Sequence, residues 1–175
     1  MRWMWIDRVI ELVPRERMIA IKHVSLAEEH LHDHFAAGSG GAAAMPVMPA
    51  CFIIEGMAQT AGILVGHAGG FKEKVVLAKV SAVELSREAT PGTTLRYTAT
   101  IERMDESGAS TKGGVELMSW EPGQNAPRIE TIGRIDLMFS HIDKNMAGAA
   151  FPEHNFVFSE SFRTLLRSSG IRADF

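Results

Sequence analysis

Glu55 and Gln59 stand four residues apart in the run Pro49-Ala50-Cys51-Phe52-Ile53-Ile54-Glu55-Gly56-Met57-Ala58-Gln59-Thr60-Ala61-Gly62-Ile63-Leu64-Val65-Gly66. That spacing puts both on one face of a helix, where the amide of Gln59 can hold one carboxylate oxygen and leave the other free. The rest of the run is apolar on nearly every face, as in a helix buried in a domain core. Burying an unpaired carboxylate costs on the order of several kcal/mol, a large share of a domain's stability. Glu55 is therefore the first candidate for chemistry. Its neighbours Ile53, Ile54, Met57, Ala58 and Ile63 make an apolar setting. Such a setting favours the protonated form of a carboxyl group, the form a general acid needs. The first amides of the helix, at Ala50 and Cys51, have no acceptor within it and carry the positive end of its dipole. They suit a carbonyl oxygen that gains negative charge during a reaction. His34 is the nearest candidate base in the sequence. The alternative for Glu55 is structural: a carboxylate paired in the core with an arginine or with backbone amides.

These groups need a scaffold. Residues 4–12 and 17–24 alternate loosely around Pro14-Arg15-Glu16 and read as a strand pair. Ser25 with Glu28 three residues on forms a capping box for a short helix at about 26–33. Residues 36–45 are a small-residue loop, expected to be mobile. The apolar helix follows, launched by Pro49 and ended by the glycines from Gly66 to Gly70. Val75–Arg87, Thr93–Met104, Ser110–Trp120 and Arg128–His141 are rich in β-branched and apolar residues. Turn residues at Pro91-Gly92, Asp105–Gly108 and Glu121–Asn125 separate them, so they read as an antiparallel meander. One apolar helix and one long sheet imply an α+β fold in which the sheet wraps the helix. After residue 142 the pattern changes: a small-residue link at 146–150, then apolar residues from Phe156 to Leu166, with Ser159 placed to cap a docking helix running to Arg167.

Composition narrows the function classes. The 175 residues fit one domain and are 46 % hydrophobic, enough for a real core. A net charge of −3 without a basic stripe argues against a nucleic-acid partner. The single cysteine, Cys51, excludes an intrachain disulfide and points to a reducing cytoplasm. The stretch 50–66 contains Glu55, Gln59 and glycines, a poor membrane span, and Met1–Arg8 lacks the pattern of a signal peptide.

The residues around His34 carry a resemblance. His34-Phe35, then Pro46-Val47-Met48-Pro49, then Phe52-Ile53-Ile54-Glu55-Gly56-Met57-Ala58-Gln59, resembles the active-site signature of the β-hydroxyacyl-[acyl carrier protein] dehydratases. Ile6-Asp7-Arg8-Val9 with Ile19-Ala20-Ile21-Lys22 resembles that family's opening strands, and Ala89-Thr90-Pro91-Gly92 its turn before the long strands. The resemblance implies a hotdog domain over residues 1–142, with 143–175 as a C-terminal extension. It implies a (3R)-hydroxyacyl thioester substrate on a phosphopantetheine arm, held by acyl carrier protein or coenzyme A. His34 and Glu55 would be the catalytic pair, the amides of Ala50 and Cys51 the carbonyl-binding donors, and Gln59 the group that orients Glu55. Neither metal nor redox cofactor is implied. A homodimer or higher homo-oligomer is, because His and Glu of one site come from two subunits in this family. Glu at 55 matches the plain dehydratase branch; the isomerising branch carries Asp there. Two departures stand out. Ala36–Met45 replace a short Pro-Gly-x link, and Ala50 stands where the family has Gly.

Rival readings remain. A catalytically silent hotdog that binds acyl carriers or serves in an assembly would account for the rebuilt loop, and a hotdog thioesterase is a further alternative. His30, His32 and His34 suggest a metal site, since His30 and His34 would share a helix face; solvated side chains are the plainer expectation for His30 and His32. Cys51 reads as a buried structural thiol before it reads as a nucleophile. The methionines Met45, Met48 and Met57 could line an acyl tunnel or simply fill the core. Arg163, Arg167 and Arg172 could meet an acidic carrier protein or form a solvated face.

Overall fold

The computed structural model describes residues 3–38, 41, 43–145, 148 and 151–175. The expectations for Met1 and Arg2, for Ser39, Gly40 and Ala42 of the small-residue loop, and for most of the link at 146–150 lie outside the described residues. Six strands run β1 (Arg8–Val13), β2 (Arg17–His23), β3 (Val75–Leu85), β4 (Thr94–Met104), β5 (Gly108–Ser119) and β6 (Arg128–His141). They form one antiparallel sheet in the order β1-β2-β4-β5-β6-β3. The helices are α1 (Glu29–Asp33), α2 (Ala50–Ala68), α3 (Ile142–Asn145) and α4 (Glu160–Ser168).

The sheet wraps α2, which touches β2, β3, β4, β5 and β6. Met57, Ala61, Ile63, Leu64 and Val65 of the helix are fully buried against Met18, Leu95, Tyr97, Val115 and Ile135. Gly56 sets the depth of the contact. A Cβ there would stand 2.6 Å from Tyr97 Oη and 2.8 Å from the Trp5 carbonyl oxygen, so only glycine lets the helix settle onto β4. Among the described residues α2 is the one helix long and apolar enough to cross a membrane; 61 % of that stretch is buried inside the fold.

Three local expectations change. Residues 4–7 lie before β1 instead of extending it, because Trp5 finds its partner on α2: its amide donates to the Gln59 side chain. The capping box at Ser25 and Glu28 makes a turn, not a helix start. Glu28 Oε2 accepts from the Ser25 amide, but Ser25 Oγ accepts from Ala27. The helix begins later, at Glu29. Ser159 does occupy the N-cap position of α4, without a side-chain cap bond.

The C-terminal segment joins the main core. Phe158, Leu165, Leu166 and Ala173 are buried in the same hydrophobic cluster as α2. Asn155 ties the segment to the loop between α2 and β3, donating to the carbonyls of Phe71 at 2.9 Å and Glu73 at 3.0 Å. Ser169 Oγ accepts the Val9 amide of β1 at 3.0 Å.

Candidate active site

His34 follows α1 and is half-buried. Its Nδ1 lies 2.7 Å from the carbonyl oxygen of Val47. A carbonyl only accepts, so Nδ1 carries the proton and Nε2 presents a lone pair. The backbone reinforces the contact: the Val47 amide donates to the His34 carbonyl at 3.2 Å, and the Met45 amide to the Phe35 carbonyl at 3.0 Å. These bonds close the rebuilt loop at its neck, so the extra residues leave from Phe35 and return at Met45 without displacing the imidazole. The Phe35 ring stacks on that of His34, with centroids 4.2 Å apart.

A cavity of about 540 Å³ is lined by His34, Val47, Pro49, Ala50 and Ile53, with Leu85–Glu88 on its far side. Pro49 is the N-cap of α2 and bonds through no side chain. Ala50 at the helix start thus lines the same cavity as the imidazole, and its amide has no intrahelical acceptor. His34 and Ala50 are brought together within one chain.

Glu55 and Gln59 lie elsewhere. They line a cavity of about 250 Å³ with Ala58 and Gly62 of α2, Val75–Leu77 of β3, and Phe139. Gln59 is fully committed. Its Oε1 accepts the Trp5 amide at 2.8 Å, and its Nε2 donates to the Trp3 carbonyl at 3.0 Å and to Glu55 Oε1 at 2.9 Å. These partners fix the amide's orientation and hold one oxygen of Glu55, leaving Oε2 available. Glu55 is half-buried, not enclosed as the apolar run suggested. Within a single chain, then, Glu55 and His34 open onto different cavities.

The remaining candidates separate. His32 is exposed. His30 instead sits edge-on to Trp5 at 5.2 Å and Phe52 at 5.0 Å. Burial there lowers its pKa below the usual histidine value. Among the described residues, no three of His, Cys, Asp and Glu converge into a group that could hold a metal ion. Cys51 is exposed, not buried as expected of a structural thiol. Arg163 pairs with Glu160 and lies 5.2 Å over the Phe175 ring, and Arg167 also pairs with Glu160, so both are engaged within the tail. Two contributors carried no sequence signal: the Val47 carbonyl, which every residue possesses, and the backbone of Trp3 and Trp5. The tail residues Val157, Phe158 and Phe162 also line the Glu55 cavity. Their apolar character was visible, but not their destination.

Residues 2–118 match the model of the FabA-like domain. The chain belongs to the FabA-like family. Its relatives include a 3-hydroxyacyl-[acyl-carrier-protein] dehydratase FabZ of Acidiphilium cryptum, 42 % identical over 101 residues, 56 % of this chain and 57 % of that protein. A FabZ of Ruminiclostridium cellulolyticum is 32 % identical over 114 residues, covering 63 % of this chain and 75 % of that one. The match spans 57 % of the length of each of the first two curated relatives. Among solved structures, a dehydratase heterocomplex, ApeI:P of Xenorhabdus doucetiae, superposes with a TM-score of 0.57 at 21 % identity, covering 82 % of this chain and 86 % of that one. An acyl-CoA hydrolase of Agrobacterium tumefaciens superposes at 0.54 with 17 % identity, covering 75 % of this chain and 45 % of that one. These likenesses establish the hotdog fold for this FabA-like chain: one antiparallel sheet around a central helix.

Proposed function

We propose that the protein is a 3-hydroxyacyl-[acyl carrier protein] dehydratase, removing water from a (3R)-hydroxyacyl thioester to give the trans-2-enoyl thioester in fatty acid or related lipid synthesis. One observation carries the reading. The His34 imidazole, its Nδ1 tied to the Val47 carbonyl, shares a cavity with Ala50, whose helix-terminal amide has no intrahelical acceptor, the pairing needed to form an enolate next to a thioester.

Nε2 of His34 takes the proton from the carbon next to the thioester carbonyl. The electron pair moves onto the carbonyl oxygen, which the amide of Ala50, with Cys51 beside it, stabilises. The pair then returns to form the carbon–carbon double bond as the C3–oxygen bond breaks. Glu55, held through Oε1 by Gln59, delivers a proton to the departing hydroxyl, directly or through a water molecule. Every step is proton transfer or charge stabilisation by these groups, so we assign no metal or redox cofactor.

The acid comes from the second copy of a homodimer. β3 is an 11-residue edge strand that, among the described residues, pairs only with β6. It exposes Leu77, Val80 and Val83, and so long an apolar edge invites another strand. Two β3 strands paired antiparallel about a two-fold axis through residue 80 would set Val75 of one opposite Leu85 of the other. Val75–Leu77 flank the Glu55 cavity, and Leu85–Glu88 flank the His34 cavity. The axis would therefore join the His34 cavity of one subunit to the Glu55 cavity of its partner. The substrate carrier would be acyl carrier protein or coenzyme A, and a reducing cytoplasm suits the exposed Cys51 thiol.

The test is hydration of a short trans-2-enoyl thioester, followed by loss of its ultraviolet absorbance, on both carriers. Wild type is expected to be active, with His34→Ala and Glu55→Gln each reduced on the order of 10²–10⁴-fold. Folded wild type without activity on either carrier would favour a silent acyl-carrier-binding protein instead.

A further inference from the structure

The Glu55 cavity has a floor that the family match does not cover. Along α2 the residues that face it include Glu55, Ala58, Gln59 and Gly62, spaced by three and four, with Ile63 beside them. From Glu55 to Gly62 is seven residues, roughly 10 Å of helix at 1.5 Å each. At the far end the wall is no longer α2 or the sheet. Val157, Phe158 and Phe162 close it, all from the segment beyond the matched residues 2–118. Phe158 is seated over Gly66, one turn past Gly62, where any Cβ would overlap its ring. It meets the Phe71 ring edge-on with centroids 4.9 Å apart and is 3 % exposed.

The floor is fixed in place. Asn155 accepts the Val157 amide at 3.1 Å while its own amide group holds the Phe71 and Glu73 carbonyls, so the turn into Phe158 is tied to the end of α2. Downstream, α4 is anchored to β1 through Ser169. The space along this wall is small and open on one side, about 250 Å³, against the roughly 300 Å³ at which pockets for drug-sized ligands begin.

Resting on the dehydratase reading, we propose that Val157, Phe158 and Phe162 form the floor of the acyl-chain pocket and restrict the enzyme to short 3-hydroxyacyl chains. The thioester end of the substrate sits where the His34 cavity of one subunit meets the Glu55 cavity of its partner. Its alkyl end runs along Ala58 and Gly62 and stops against the two phenylalanine rings. Longer chains would have to displace a side chain packed on helix backbone.

The test compares kcat/KM for trans-2-butenoyl, trans-2-octenoyl and trans-2-dodecenoyl thioesters. Wild type is expected to fall steeply with chain length. Phe158→Ala could fail by unfolding, so the informative variants are the half-buried Val157→Ala and Phe162→Ala, with folding checked by circular dichroism. Each is expected to raise the dodecenoyl-to-butenoyl ratio about tenfold, the scale on which an apolar pocket discriminates chain size. Val157→Phe is expected to lower the octenoyl-to-butenoyl ratio. A wild type that handles dodecenoyl as well as butenoyl, or variants that are active with an unchanged ratio, would overturn the floor and leave the dehydratase reading intact. A wild type inactive on all three would overturn both.

Discussion

His34 and Gln59 are each held in orientation by hydrogen bonds to the backbone. Nδ1 of His34 is committed to the Val47 carbonyl, and all three polar partners of Gln59 are assigned. What remains unspent, Nε2 and Glu55 Oε2, is what the proposed chemistry uses. The residue types and spacing of His34, Glu55 and Gln59 were legible in the sequence, because a polar pair at i, i+4 in an apolar helix stands out. The carbonyl that sets the histidine tautomer was not, since it belongs to no residue type. Histidines outside the site lead to a pH prediction. Burial lowers the pKa of both His30 and His67 below the ordinary value of 6.5. As pH falls below that value the unfolded chain takes up protons that the native state resists, so stability falls with pH. The urea midpoint is expected to drop between about pH 7 and pH 5, and His30→Gln with His67→Gln to flatten the drop. An unchanged slope in the double variant would contradict it.

At the scale of elements, β6 spans Arg128–His141, the range its composition indicated, because turn residues bound it on one side and β-branched and apolar residues fill it. Errors fell where a side chain captured backbone. Gln59 holds the segment before β1, and Ser25 and Glu28 form a turn in place of a cap. Both depend on which groups come near each other, which local propensity does not encode. Gly56 offers a test of how α2 seats on the sheet. Alanine in mid-helix is intrinsically better than glycine by about 1 kcal/mol. A methyl group at 56 would meet Tyr97 and the Trp5 carbonyl, and such overpacking costs about 1–3 kcal/mol. The clash involves backbone, so it wins. Gly56→Ala is expected to lose up to about 2 kcal/mol, read as a lower urea midpoint at unchanged slope. A stabilised variant would mean that α2 can lift off β4 freely.

For the whole molecule, the sequence pattern yielded the sheet-around-helix plan, while the separation of His34 from Glu55 was expected from the family resemblance and not from the pattern itself. His34 and Glu55 are only 21 positions apart, yet they open onto different cavities at opposite ends of β3. A motif records order along the chain, and the separation follows from the direction in which each face of α2 points. The tail was legible as apolar and helical; its place against the Glu55 cavity depends on Asn155 and Gly66, residues without a distinctive pattern. If each site spans two subunits, inactive chains should complement one another. The deciding measurement is enoyl thioester hydration by His34→Ala and Glu55→Gln chains denatured and refolded together at equal amounts. Random pairing makes half the dimers mixed, and each mixed dimer holds one intact site, so activity should return to about a quarter of wild type. A mixture no more active than the separate variants would contradict a site shared between subunits.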